Sequence, residues 1–320
     1  MKILIIKLGA LGDAIISTSI IKQIIDHHSL EELHLLTTPA FSELFSHFEK
    51  VKVVAFERKG LLSVFKAVKW IRGQRFDQIY DLQSNDRTAF LCSLSGVPYR
   101  AGNHPRFPYH KHPEKPYVGE CHSFDRLNQI IESANIQPAK PSPYLPVPEV
   151  ARTEVNDWLI KHNLSKGSFI IIHAGSSPLH IKKRWPYFAE LATNLSALYD
   201  IVWVGSKDDR ELNRKLSSCV GIDATDVFSI YGLVELGKYA RFAVTNDSAP
   251  MHILSCSHIP VFGLFGPTYA RRTHALGQLD NIITADDKAM ALDDNEFRPS
   301  NISNISIDKV LNKLGEKGLL

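Results

Sequence analysis

The segments Lys7-Leu8-Gly9-Ala10-Leu11-Gly12-Asp13 and Thr245-Asn246-Asp247-Ser248-Ala249-Pro250-Met251-His252 carry the side chains best suited to chemistry. Each follows a short apolar run and leads into a helix-period segment. Each therefore sets a carboxylate where a strand gives way to a helix. Helix starts attract negative charge, and the carboxyl ends of parallel strands are where such folds bind ligands. The first segment is spaced G-x-x-G-D rather than G-x-G-x-x-G, and the next strand closes on Leu35-Leu36-Thr37-Thr38 with no acid to hold a ribose. No G-K-[ST] follows either, so neither nucleotide fingerprint is met. What remains is Asp13, which on this segment alone reads first as a helix cap and second as a general base.

The second half offers a phosphate site. His173-Ala174-Gly175-Ser176-Ser177 ends an apolar strand, and Lys182-Lys183-Arg184-Trp185-Pro186 follows it. Small residues let a backbone approach a phosphate, and hydroxyls with a lysine can neutralise a diphosphate. A solvated basic turn is the plainer alternative. Asp247 can accept from sugar hydroxyls while Ser248 faces a phosphate, although the same residues also make an N-cap followed by proline in the first turn. Phe265-Gly266-Pro267-Thr268 ends the following strand.

These segments need a frame. Apolar runs at 2–7, 33–36, 51–55 and 78–82 alternate with helix-period stretches at 13–27, 61–72 and 86–95. After 146 the alternation restarts, with strands at 168–173, 200–204, 242–245 and 260–265 and helices at 186–198, from 207, and 305–314. Strands alternating with helices predict an α/β protein with parallel sheets. Between the halves, 102–120 holds four prolines, a helix is expected at 124–134, and 137–148 reads as an extended Pro-rich linker. The expected domains are 1–145 and 146–304, closed by a helix over 305–320.

The chain has 320 residues, 44% hydrophobic and 22% charged, with net charge +3, which is ordinary globular composition for two domains. No apolar stretch is long enough to span a bilayer, and the N-terminus enters a strand at once, so a cytoplasmic location is expected. Four scattered cysteines form no C-x-x-C pair. Residues 1–145 hold 18 Lys and Arg against 14 Asp and Glu, a mild basic excess without the clustered face of a nucleic-acid binder. His110, His112, Cys121 and His122 do not match a metal-ligand spacing, and no metal is expected. Arg106, Lys111 and Lys115, with Arg58 and Arg87, suit the carboxylates or phosphates of an acidic saccharide.

Taken together, four segments resemble the family 9 glycosyltransferases, the ADP-heptose:lipopolysaccharide heptosyltransferases. The start is similar to the family's K-x-x-x-L-G-D opening, and Tyr80-Asp81-Leu82-Gln83 to its D-L-Q strand end. Lys183-Arg184-Trp185-Pro186 matches K-R-W-P, while Asn246 to His252 with Phe265 to Thr268 resembles N-D-T-G-P-M-H…F-G-P-T. The resemblance implies a GT-B fold, with two Rossmann-like α/β/α domains facing a central cleft and the closing helix packing back toward the first. It implies inverting transfer without cofactor or metal, from ADP-heptose or a related nucleotide-sugar to an acidic lipid-linked saccharide. Peripheral contact with the cytoplasmic face of the inner membrane goes with such an acceptor. By the same resemblance Asp13 is the base, and Lys183 stabilises the leaving diphosphate. Gly175, Ser176, Ser177, Arg184, Gly205, Asp247, Ser248, Ala249, Met251, His252 and Gly266 would bind the donor. Gly12, Arg58, Gln83, Arg87 and Arg106 would bind the acceptor.

The chain departs from the family pattern at three places. Ala249 stands where the family has glycine, Gly232-Leu233-Val234-Glu235-Leu236 lacks the lysine of G-K-[ST]-[ST]-L, and no cysteine pair occurs near the C-terminus. A GT-B enzyme with another nucleotide-sugar or acceptor is therefore the first alternative. A non-catalytic sugar-nucleotide binder is the second, against which the presence of both Asp13 and Lys183 counts.

Overall fold

Ile3-Leu4-Ile5-Ile6 is wholly buried because it forms the middle of a sheet covered on both faces. In the computed structural model, residues 1–57, 60–103, 107–115, 121–285 and 298–320 are described, and the chain divides into two units, Met1–Pro146 and Val147–Leu320. The first unit runs β1 (Lys2–Ile6), α1 (Leu11–Ile16), α2 (Thr18–His27), β2 (Glu32–Thr37), α3 (Pro39–Phe45), β3 (Val51–Ala55), α4 (Leu61–Gln74), β4 (Gln78–Asp81), α5 (Asp86–Leu94), β5 (Tyr99–Ala101) and α6 (Ser123–Ser133). Its strands are all parallel, in the order β3-β2-β1-β4-β5.

The second unit runs α7 (Glu149–Lys161), β6 (Phe169–His173), α8 (Phe188–Leu195), β7 (Asp200–Trp203), α9 (Arg210–Ser217), β8 (Ile222–Asp223), α10 (Ile230–Tyr239), β9 (Ala243–Asn246), α11 (Ala249–Ser255), β10 (Val261–Phe265), α12 (Ala270–Thr273), β11 (Ile282–Thr284) and α13 (Ile307–Glu316). This sheet is also parallel, in the order β11-β10-β9-β6-β7-β8. In both sheets the unit's first strand lies in the interior, and the chain winds away from it in opposite directions. The switch points, β1/β4 and β6/β9, are where a doubly wound sheet opens a crevice at its carboxyl edge.

Several elements differ from the sequence expectation. The helix expected over 13–27 breaks at Ser17, where the buried hydroxyls of Ser17 and Thr18 donate back to Ala14 O and Ile15 O at 2.7 Å each. Such bonds compete with the helical ladder. β5, β8 and β11 span three, two and three residues, too few to show a period. α10 escapes a periodicity reading because Tyr231 to Gly237 is buried throughout, leaving no polar stripe.

Part of the Pro-rich stretch is ordered against the sheet edge. Lys111 bridges to Ala101, Arg100 Nε donates to Pro108 O at 2.6 Å, and the buried Tyr109 hydroxyl donates to Asp81. The extended 137–148 segment is tied to the first unit, where Tyr144 N–H donates to Thr18 Oγ1 at 2.9 Å. The closing helix α13 spends its apolar face on the second unit. Ile305, Val310, Leu314 and Leu319 join that unit's core with Trp185 and Phe188. Two bonds lock it there, Trp185 Nε1–H to Ile305 O and Tyr199 O–H to Leu319 O, each 2.8 Å.

Candidate active site

At the β1/β4 switch point the chain leaves β1 through Lys7 and turns at Gly9, whose φ is +113°. A Cβ on Gly9 would lie 2.1 Å from the Phe41 ring, so glycine is required there twice over. Asp13 then falls in the first turn of α1, three residues past the N-cap position, which Ala10 occupies without a side-chain bond. Asp13 is therefore not the cap that its position before a helix suggested. Among the described residues no side chain hydrogen-bonds its carboxylate.

The neighbouring β4 end is built on Asp81. Its Oδ1 accepts from the N–H groups of Gln83 (3.0 Å) and Ser84 (2.8 Å), and its Oδ2 from Tyr109. Burial nonetheless pushes its carboxyl above the usual range. Gln83 Oε1 accepts from Leu8 N–H at 3.1 Å, which joins the two loops and leaves the Gln83 amide NH2 for other partners. Lys7 is only 1% exposed, with Nζ donating to Leu82 O at 3.3 Å. Burial pulls its pKa down to about 8, against the opposing field of Asp13. Gly12 is half-buried at the start of α1, and Arg87 on α5 reaches Gly60 O at 3.5 Å. Arg58 and Arg106, the other expected acceptor contacts, lie outside the described residues.

At the β6/β9 switch point one buried asparagine holds three loop strands in register. Asn246 Nδ2 donates to Ala174 O (2.8 Å) and Gly175 O (3.0 Å), and its Oδ1 accepts from Trp185 N–H (3.0 Å). That arrangement delivers Lys183 and Arg184 to the strand ends. Lys183 Nζ lies 2.6 Å from Asp247 Oδ2, which also accepts from Thr268 Oγ1 at 2.6 Å. Arg184 donates through Nε to Ser176 Oγ (3.2 Å) and through Nη2 to Ser176 O (3.0 Å). Ser177 is exposed beside it, and Ser248 Oγ lies 3.1 Å from His173 Nδ1.

The glycines assigned to the donor have another reason to be glycine. A Cβ on Gly175 would sit 2.0 Å from Asp209 Oδ1, and one on Gly205 would sit 2.9 Å from Asp209 Cβ. Both clear space for a buried carboxylate rather than only for a ligand. Gly266 lets the chain pass Ile302, whose backbone N would be 2.6 Å from an added Cβ. Met251 is fully buried under β10, His252 is buried on α11, and Ala249 is half-exposed at the helix start. The structure thus gathers Ser176, Lys183, Arg184, Asp247 and Ser248 at one switch point, and Gly12, Asp13 and Gln83 at the other.

Sequence reasoning passed over Lys7, His173, Asp209, Asn246 and Thr268. Asn246 and Thr268 stand inside motifs whose neighbouring residues carry the more obvious chemistry. Asp209 had an indirect signal in the paired glycines at the ends of β6 and β7. Of the histidines weighed as metal ligands, His122 instead caps α6, with Nδ1 accepting from Phe124 N–H at 3.1 Å.

Two parallel, doubly wound units, each with polar loops at its switch point, make up the GT-B fold. Residues 64–298 match the profile of Glycosyltransferase family 9 (heptosyltransferase). The chain is 22% identical over 311 residues to lipopolysaccharide heptosyltransferase 2 of Escherichia coli, covering 88% of each sequence. It is 26% identical over 286 residues to lipooligosaccharide heptosyltransferase 2 of Campylobacter jejuni, covering 85% of this chain and 84% of that one. In fold it is similar to the crystal structure of a family 9 glycosyl transferase from Veillonella parvula, with a TM-score of 0.81 at 20% identity, over 98% of this chain and 96% of that one. The chain belongs to glycosyltransferase family 9, the heptosyltransferase family, and is a glycosyltransferase.

Proposed function

We propose that the chain moves a heptose from ADP-heptose to a hydroxyl of the lipopolysaccharide inner core, with inversion and without a metal ion. The carrying observation is the braced cluster at the β6/β9 switch point, where Lys183, Asp247 and Thr268 are joined beside Ser176 and Arg184. It supplies cations and hydroxyls for a diphosphate and a carboxylate for sugar hydroxyls. The relatives' names support the same donor and acceptor class, as do E. coli heptosyltransferase WaaC structures with ADP and with ADP-2-deoxy-2-fluoro heptose.

In this reading Asp13 takes the proton of the acceptor hydroxyl, and the oxygen attacks the anomeric carbon. The bond from that carbon to the β-phosphate oxygen breaks, and its electron pair leaves with ADP. Lys183 and Arg184 meet the charge that develops on the diphosphate, which is the work a metal ion would otherwise do. Gly12, Gln83 and Arg87, with Arg58 and Arg106, receive an acidic lipid-linked saccharide. An acceptor of that kind places the enzyme at the cytoplasmic face of the inner membrane, where the mild basic excess of residues 1–145 favours an anionic surface.

A second reading, another nucleotide-sugar on the same machinery, is favoured by Ala249 and by Leu233 in place of the family's lysine. A transfer panel with ADP-heptose, UDP-sugars and GDP-sugars tests both. Turnover of ADP-heptose alone is expected. Turnover of a UDP- or GDP-sugar with none of ADP-heptose overturns the heptose assignment and leaves the second reading.

A further inference from the structure

His173, Asp209 and Ser248 come from three separate segments and meet behind the proposed diphosphate site. His173 ends β6, is 2% exposed, and sets Nδ1 at 3.1 Å from Ser248 Oγ. Its other ring nitrogen, Nε2, lies 3.8 Å from Asp209 Oδ2. Asp209 is 4% exposed. Its Oδ2 accepts from Ser206 N–H (3.0 Å) and Ser206 Oγ (3.2 Å), while Oδ1 has no hydrogen-bond partner among the described residues and faces Arg184 at 3.7 Å. Burial alone would raise this carboxyl, but His173 and Ser206 together hold it below its usual range. The chain keeps glycine at both 175 and 205, where any Cβ would strike Asp209. A buried carboxylate placed behind a buried histidine at such steric cost has a purpose that packing does not supply.

The Ser248 hydroxyl has one proton to donate and two acceptors in the structure, His173 Nδ1 and, at 3.3 Å, Asn246 O. With a neutral imidazole whose Nε2–H points to Asp209, the hydroxyl donates to Nδ1 and has no proton for a phosphate. With an imidazolium, Nδ1–H donates to Ser248 Oγ, and the hydroxyl proton is released toward an outside acceptor. A phosphate oxygen is such an acceptor and selects the second state.

We infer that His173 is a positioning residue which takes up a proton when the donor diphosphate binds, with Asp209 compensating its charge and Ser248 turning its hydroxyl to the phosphate. The inference rests on the proposed use of this switch point for a nucleoside diphosphate. The other charged or titratable groups on the elements around His173 are Arg184, the Lys183–Asp247 pair adjoining Ser248, Lys207 and Asp208 beside Asp209, and His252 on α11.

The test is calorimetric titration of the full chain with ADP at about pH 8, where free ADP is already fully ionised, in two buffers of unlike protonation enthalpy. Wild type should take up a fraction of a proton, and its ADP affinity should fall with rising pH by up to about tenfold per unit. His173→Asn should bind ADP more weakly, with no uptake and a flat pH profile. Ser248→Ala, at a half-exposed position, should also lose the uptake and stands in if His173→Asn does not fold. ADP binding with pH-independent affinity, or unchanged uptake in a folded His173→Asn or Ser248→Ala, overturns the relay and leaves the donor site intact. Failure of wild type to bind ADP at all overturns the donor-site reading, and the relay with it.

Discussion

At the β1/β4 switch point the Asp13 carboxylate accepts no side-chain hydrogen bond among the described residues. At the β6/β9 switch point Asp247 accepts from Lys183 and Thr268, and Asp209 from Ser206. The sheets are wound alike, yet their exposed chemistry is prepared differently. A general base must keep a lone pair free for a proton that arrives with the substrate. A site for a diphosphate gains from dipoles and charges fixed before the ligand arrives, because no reorganisation is then needed as charge develops. The first unit does contain a fully committed carboxylate, Asp81, but it is buried and spent on joining loops, with Gln83, Ser84, Tyr109 and Cys92 donating to it. Availability, not residue type, separates Asp13 from Asp81.

The largest effect should come from removing the free carboxylate. Asp13→Asn is expected to lower kcat by ~10²–10⁴-fold while ADP affinity and Tm stay near wild type. Nothing in the described structure depends on its charge for a hydrogen bond. Activity near wild type would reduce Asp13 to a helix-dipole residue and erase the contrast between the two switch points. Next is Lys183→Met, expected to cost ~10²–10³-fold in kcat. It also leaves Asp247 with Thr268 as its remaining side-chain partner. A rise in KM for ADP-heptose with kcat unchanged would show that Lys183 only binds the donor.

Much of this architecture was legible in the sequence, for reasons that differ between its parts. The interior strands β1, β6 and β10 are nearly continuous apolar runs because both faces are covered, so their pattern is strong. The edge strands β5, β8 and β11 have two or three residues and no pattern to find. At the site, Asp13, Lys183 and Asp247 are candidates as charged residues in strand-to-helix segments, and the family resemblance, not their pattern, gives Asp13 and Lys183 their expected roles. Asn246 and Asp209 could not be weighed in the same way. Their value lies in reaching across 61 to 72 residues of sequence, or in filling the space left by two glycines, and such relations exist only once the strands are side by side.

Asn246 is the test of how far the bracing matters. Asn246→Ala deprives the buried Trp185 N–H of its acceptor and the Ala174 and Gly175 carbonyls of a donor. The expected loss is about 2–4 kcal/mol in unfolding free energy by denaturant titration. ADP binding should weaken by roughly tenfold as the Lys183 loop loosens. An unchanged midpoint with unchanged ADP affinity would mean that the donor loops hold their shape without the asparagine.

The smallest effect, and the one that probes the first switch point from beneath, is at Lys7. Its ammonium sits in the core with one long hydrogen bond among the described residues, and burial draws its pKa from the ordinary 10.5 to about 8. Between those two pH values the unfolded chain still holds a proton that the folded chain has released. The folded state therefore gains stability from this group as pH rises through that window, and below it carries the full cost of a buried charge. Lys7→Met removes the cost, so the variant should be more stable than wild type at neutral pH by on the order of 1–3 kcal/mol. That advantage should shrink steadily from pH about 8 to 10.5. Taking the difference between the two proteins cancels the buried Cys92 and Cys256 thiols, whose raised pKa values act in the opposite direction at alkaline pH. A stabilised Lys7→Met that also loses activity would show that the first switch point keeps a destabilising cation beneath its base for the sake of catalysis. A destabilised variant, with a difference that does not vary with pH, would show instead that the Lys7 ammonium is held by contacts stronger than the bond to Leu82 O.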